Sequence, residues 1–324
     1  AAAQAVAAAP AKLAVLGAAV AAKPAAPVVA APAARDAGAL AGLLDLLAEG
    51  EGHSPSRLEQ VRFIRVSDKS PRGPIVYEPG IIVVGQGRKI GYLGGKVYVY
   101  DPNNYLVLSV PLPFECETTA EPGKPFLAVS IAMDSGLLGE LVAELDDGLA
   151  APESVTGIYS TPLGPELMGA TIRLLECLRS ETDSRILGRQ IIREITYHVL
   201  KGPQGIALRA VAARDSRFGQ IAKVLRRIHE SYSRELSVQS LAEEANMSVS
   251  AFHHTFKAVT SSSPLQYLKS IRLHKARMLM AQEGLGAALA AEKVGYASPS
   301  QFSREFKRFF GESPREDAAR LRRG

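Results

Sequence analysis

Near its end the sequence repeats itself, and any fold must accommodate that. Leu241-Ala-Glu-Glu-Ala-Asn246 matches Ala290-Ala-Glu-Lys-Val-Gly295, Phe252 and Phe256 match Phe302 and Phe306, and Ser263-Pro264 matches Ser313-Pro314. The offset is 49 residues before each turn and 50 after it. Each copy predicts helix, sharp turn, helix, over about 238–260 and 287–310. The turn needs a residue that tolerates positive φ, which Asn246 and Gly295 supply. Ser248 is then an N-cap. In the second copy Ser298 caps, Pro299 takes the first helical position, and Gln301 is expected to complete a capping box. Gly311 and Pro314 end that helix.

Helical spacing sorts the two second helices into faces. Phe252, Phe256 and Val259 fall on one side, as do Phe302, Phe306 and Phe309 or Phe310; these are core anchors. The opposite side carries Ser250, His253, His254 and Lys257 in the first copy, and Ser300, Ser303, Arg304 and Lys307, with Arg308 beside it, in the second. Either face alone reads as ordinary solvated surface. The same design twice predicts a pair of major-groove readers, with short polar and Arg groups on base edges and Lys and Arg on phosphates. Between the copies, Pro264 to Met280 predicts a long connecting helix whose seam is Leu265, Leu268, Ala276 and Leu279. Arg272 breaks that seam and is expected to bury its stem and hold its head in water.

Charge agrees. From Arg217 to Gly324 there are 18 Lys/Arg against 10 Asp/Glu, a surplus of 8, whereas the whole chain carries only +5. A basic C-terminal third on a slightly acidic body suits a phosphate-binding module. Two cysteines, Cys116 and Cys177, argue against a disulfide framework or structural zinc and fit a reducing, cytoplasmic setting. No membrane partner is expected, since no stretch is long and apolar enough to span a bilayer.

Upstream the texture differs. Residues 1–35 form an Ala/Pro/Val tract, read as a flexible extension rather than a signal peptide. A short helix is expected over Asp36 to Leu47. From Val61 to Ile131 short Val/Ile/Tyr-rich runs, among them Val61–Val66, Gly80–Val84, Lys96–Tyr100 and Tyr105–Val110, alternate with turn signals, predicting a small antiparallel barrel or sandwich. Gly85-Gln-Gly87 reads as a hairpin. From Leu137 helical periodicity takes over, with helices over Glu166–Leu178 and Arg185–Leu200 as the candidate dimer interface. The expected division is 1–35 extension, 36–150 sensor, 151–214 helical linker and 215–324 DNA-binding domain, an α+β chain.

The residues Val294-Gly-Tyr-Ala-Ser-Pro-Ser-Gln-Phe-Ser-Arg-Glu-Phe-Lys-Arg-Phe-Phe-Gly311, with Pro264-Leu-Gln-Tyr-Leu268 and Arg272-Leu-His-Lys-Ala-Arg277, closely resemble the DNA-binding domain of the AraC/XylS family of bacterial transcription regulators. Tyr77-Glu-Pro-Gly80, Gly85-Gln-Gly-Arg88 and Tyr105-Leu-Val-Leu-Ser-Val-Pro-Leu-Pro113 resemble the N-terminal domain of one AraC-type subgroup. The resemblance implies a cupin-like barrel that senses a small molecule and helps the chain dimerise. By position it implies base contacts from Ser250, His253 and His254 in one half-site and from Ser300, Gln301, Ser303 and Arg304 in the other. The first reader lacks an Arg and carries Ala251, so the second is expected to discriminate more sharply. Double-stranded DNA, a small-molecule effector and a second copy are the expected partners, with RNA polymerase a candidate.

An enzymatic barrel is the weaker reading. Metal-dependent cupins cluster histidines, and none of the six here lies between Val61 and Ile131. No cofactor, metal or catalytic residue is expected. Arg72, Tyr77, Arg88, Tyr92 and Tyr98, with Lys89 and Tyr100, are candidates to line an effector pocket. Cys116 is read as a structural thiol by default, its pKa raised by Glu115 and Glu117. A constitutive DNA-binding protein without a ligand is the alternative.

Overall fold

The computed structural model describes residues 34–145, 156–213 and 216–321. Most of the N-terminal tract lies outside them. The chain opens with α1 (Ala34–Leu47), then β1 (Gly52–Pro55), β2 (Val61–Val66), β3 (Ser70–Tyr77), β4 (Gly80–Gln86), β5 (Arg88–Leu93), β6 (Lys96–Tyr100), β7 (Asn104–Leu108), β8 (Leu112–Thr119) and β9 (Phe126–Ala132). Next come α2 (Ser135–Leu145), β10 (Ile158–Pro162), α3 (Pro165–Cys177), α4 (Glu181–Lys201) and α5 (Gly205–Ala212). The remainder is helical: α6 (Arg217–Ser231), α7 (Val238–Glu244), α8 (Val249–Thr260), α9 (Pro264–Gln282), α10 (Ala287–Lys293), α11 (Pro299–Phe310) and α12 (Pro314–Leu321).

The strands form two antiparallel sheets, one ordered β1-β2-β9-β4-β7-β10 and the other β3-β8-β5-β6. Their facing sides share one core: Ile64, Ile82, Val84, Leu106 and Ala128 from the larger sheet meet Tyr77, Tyr100, Leu112 and Phe114 from the smaller. The larger sheet is covered on its outer side as well. There Phe63, Ile81, Val83, Val107 and Val129 pack under Leu40 and Leu44 of α1, Leu167 and Leu174 of α3 and Ile192 and Ile195 of α4. That explains why β4 reads as an unbroken apolar run, for a strand buried on both faces needs no polar alternation. β8 has one open face and alternates, burying Leu112, Phe114, Cys116 and Thr118 while Glu115 points out.

One stretch departs from the sequence reading. The segment after Leu137 was expected to be helical, yet Ile158–Pro162 is a strand paired with β7. Five residues with a terminal proline carry too little periodicity to separate strand from linker. The hairpin expected at Gly85–Gly87 does not form: Gly87, at positive φ, stands where the chain crosses from β4 in the larger sheet to β5 in the smaller, and the two strands do not pair, a difference that a short glycine-containing turn does not reveal.

Candidate nucleic-acid interface

The two repeats fold alike. α7–α8 and α10–α11 each turn through a left-handed residue, Asn246 at φ 51° and Gly295 at φ 87°. At Gly295 a side chain is also excluded by space, because a Cβ would lie 2.4 Å from the Ser233 carbonyl oxygen. Ser248 accepts a hydrogen bond from the Ala251 N–H at 3.3 Å, and Ser298 from the Gln301 N–H at 3.3 Å. Both second helices end on another left-handed residue, Ser261 and Gly311.

The capping box is displaced from its expected place. The Gln301 side chain reaches forward to Glu305 at 3.1 Å instead of back to Ser298. A closed box forms instead at α12, where the Ser313 N–H donates to Glu316 and the Glu316 N–H to the Ser313 hydroxyl. Those bonds hold the Glu316 pKa below its ordinary value.

Phe252, Phe256 and Val259 are buried under α8, and Phe302 and Phe306 under α11, while Phe309 and Phe310 are half-buried. On the other side Ser250, His253, His254 and Lys257 are exposed, as are Ser300, Gln301, Arg304, Lys307 and Arg308. Ser303 is half-buried and its hydroxyl donates to the Pro299 carbonyl at 3.0 Å. Glu305 sits behind this face, gathering Gln301, Lys269 (2.9 Å) and the Tyr296 hydroxyl (2.9 Å). Burial opposes its charge, but those hydrogen bonds keep its pKa low. The Gln301 amide is thus held toward its own helix.

The connecting helix α9 serves two cores. Tyr267, Leu268 and Ile271 join the core shared by the barrel and the first unit, whereas Leu273, Ala276 and Met280 join that of the second unit. The single expected seam is therefore two, rotated from each other, and Leu265 is 52% exposed. Arg272 stands where they change over. Its head is not in water, as expected from sequence, but donates to three carbonyls: Tyr232 at 2.7 Å, Arg234 at 2.9 Å and Gly295 at 3.0 Å. A second clamp, between Arg277 and Asp317, was not foreseen from the residue pattern. Arg277 grips Asp317 with two hydrogen bonds of 2.7 Å, fastening α12 to α9, and Asp317 is 1% exposed.

The first unit is fastened to the barrel. The Tyr267 hydroxyl donates to the Pro111 carbonyl at 2.7 Å and lies 2.9 Å from His229 Nε2. With the tyrosine proton so committed, His229 must carry its own on Nε2. The Gly157 N–H donates to the Val259 carbonyl at the end of α8 at 3.2 Å. Beside this contact opens a cleft of about 500 Å³ between the barrel mouth and α6 and α9, lined by Arg62, Tyr77 and Ile82 on one wall and His229, His274 and Lys275 on the other.

The candidate effector residues scatter. Tyr77 lines the cleft, with Tyr100 and the buried Lys89 behind it, each 3.2 Å from the Tyr77 hydroxyl. Arg72 lies over the Tyr92 ring at 4.0 Å and pairs with Glu115, and the Tyr92 hydroxyl donates to Glu117, so both belong to a polar ladder on the smaller sheet's outer face. Arg88 faces Asp101 at 3.4 Å. Tyr98 packs half-buried against the core. Cys116 is buried, and burial chiefly raises its pKa, with Lys89 opposing and Glu117 reinforcing; Glu115, expected to contribute, faces Arg72 instead.

Two family profiles match. One, the AraC-type transcriptional regulator N-terminus, covers residues 57–207, and the other, a helix-turn-helix domain, covers residues 241–320. The RCS-specific HTH-type transcriptional activator RclR of Escherichia coli is 36% identical over 103 residues, 32% of this chain and 36% of that protein. The HTH-type transcriptional regulator AlkR of Acinetobacter baylyi is 36% identical over 96 residues, 30% of this chain and 31% of its own. The chain thus spans about a third of the length of these relatives. ToxT from Vibrio cholerae has a similar fold, with a TM-score of 0.55 over 80% of this chain and 93% of that one, at 11% identity. The first profile covers the β-sheet domain and the second the duplicated helix-turn-helix domain that follows it, and the chain belongs to the AraC/XylS family of transcription regulators.

Proposed function

We propose that this protein is a sequence-specific DNA-binding transcription regulator, acting in the cytoplasm on double-stranded DNA and governed by a small molecule bound in its N-terminal half. The observation that carries this reading is the pair of exposed faces on α8 and α11, alike in position and rich in hydrogen-bonding and cationic groups. α9 holds the two helices as one unit, suited to successive major-groove turns about 34 Å apart. Arg304, Lys307 and Arg308 have no ion-pair partner among the described residues, so their charges are available to an anionic ligand.

In this reading Ser250, His253, His254, Ser300 and Arg304 face bases, and Lys257, Lys307 and Arg308 hold phosphates. Gln301 and Ser303 each have one donor engaged within α11, which leaves the Gln301 carbonyl oxygen and second N–H and the Ser303 oxygen's acceptor capacity for a base. Arg304→Ala is expected to weaken operator binding by about 1–3 kcal/mol and to relax specificity at the base it reads. An Arg304→Ala protein with unaltered preference in a randomised-operator selection contradicts the assignment. Lys257→Ala or Lys307→Ala should instead weaken binding to all sequences alike and reduce the slope of log K against log salt by about 0.9 each.

The interdomain cleft is the best seat for the effector, because a molecule there touches the barrel and α9 together and can bias the two domains' arrangement. ToxT is described as bound to an unsaturated fatty acid; the same class is a reasonable first probe here. The polar ladder of Arg72 and Tyr92 is better placed as a surface feature. A second copy is expected to dock on α4, which exposes Ile186 (56%) and Leu187 (48%) although its other face is buried. RNA polymerase is a candidate partner of the DNA-bound state. The relatives are described as transcriptional activators and regulators, so a turnover assay that depended on barrel residues would count against the whole reading.

A further inference from the structure

We propose that a groove between the start of α3 and the end of α4 is a binding site for a small oxyanion, a carboxylate or a phosphate ester. The groove measures about 410 Å³ and shares no residue with the interdomain cleft. That is room for a small metabolite.

Three kinds of donor converge there. The first is Tyr105, which is 3% exposed and lines the groove, yet its hydroxyl has no hydrogen-bond partner among the described residues. That hydroxyl is not sealed off but opens on the groove, so a ligand oxygen there can accept from it. Burial pushes its pKa up to about 12, so it stays a donor. Gly202 keeps it approachable, since a Cβ there would stand 3.3 Å from the Tyr105 oxygen. The second is the start of α3, a helix of 13 residues whose N-cap, Gly164, offers no side-chain acceptor and whose first residue is Pro165. The N–H groups of Glu166 and Leu167 are left to an outside acceptor, at the positive end of the helix. The third is Lys201, exposed, its ammonium 5.5 Å from the Tyr197 ring centroid and without a carboxylate partner among the described residues. Glu166 is the one carboxylate in the lining; it is exposed and opposes an anion.

The inference does not rest on DNA binding. Calorimetric titration of the full chain, with inorganic phosphate and separately with acetate at constant ionic strength, tests it. A single saturable site is expected. Preference for phosphate points to a phosphate ester and preference for acetate to a carboxylate. Tyr105→Phe, folded by circular dichroism, should weaken that site about tenfold, one hydrogen bond to a charged acceptor. Lys201→Gln should weaken it about threefold and Glu166→Gln tighten it about threefold. Lys257→Ala and Lys307→Ala should leave it unchanged, which separates this site from the DNA-facing cations. No saturable heat with either anion, or a site indifferent to Tyr105→Phe and Glu166→Gln, overturns the proposal.

Discussion

Replacing Arg272 by Met is expected to cost the C-terminal domain about 4 kcal/mol, measured as a shift of the urea midpoint at unchanged slope. Methionine keeps the stem's packing but removes all three bonds to the carbonyls of Tyr232, Arg234 and Gly295. Each bond to a charged donor contributes about 1.5–3 kcal/mol, and the carbonyls nearest the helices are left short of partners. The Gly295 carbonyl is the most consequential, because it belongs to the tight turn that aims α11. Arg272→Lys should rescue little, since one ammonium cannot span three acceptors that a planar fork reaches together. A loss below about 1 kcal/mol for Arg272→Met would show that these bonds merely replace equivalent water.

Acid is the second large lever. His229 and His274 face the interdomain cleft, and burial chiefly lowers their pKa values, to about 4 for His229 with help from Lys275 and to about 3 for His274 with help from Arg277. Glu78 also faces His229, at 3.8 Å, but is itself largely exposed. His274 lies edge-on to Phe309 and Phe310, and its Nε2 has no partner among the described residues. Both rings are neutral in the folded protein, and in the unfolded chain they titrate near 6.5. Their contribution is therefore complete above about pH 6.5 and is lost as pH falls toward 4 and then 3. By about pH 5 the two together should have cost about 4 kcal/mol of the folded state's stability. Denaturation midpoints at about pH 7.5 and pH 5 measure this, and the paired His229→Gln and His274→Gln variant should flatten the difference. A midpoint equally acid-sensitive in that variant would move the origin to the carboxylates.

The parts legible from sequence were those built on local rules. Asn246 and Gly295 announce left-handed turns, Ser248 and Ser298 announce helix starts, and the phenylalanine spacing announces two buried faces; all need only a few neighbouring residues. What stayed hidden depended on distant partners. The role of Arg272 required knowing that three carbonyls from two other segments converge on it. Gln301 has the right spacing for a capping box, but Glu305, one turn ahead and held by Lys269 and Tyr296, competes for its amide and wins. The cleft is likewise invisible in sequence, since its walls come from β1, β2, β3, β4, β9, α6 and α9. The outward-pointing Arg72 and Tyr92 looked like pocket residues because strand alternation alone does not say which side of a sheet faces inward.

The division of α9 between two cores has a mechanical outcome. Nineteen residues make a rod about 28 Å long, anchored at one end beside the barrel and at the other beside the second reader. Tilting its near end by about 10° sweeps the far end through about 5 Å, many times the few tenths of an ångström that a hydrogen bond to a base edge tolerates. A modest adjustment at the barrel is thereby magnified into misalignment of the distant helix with its groove.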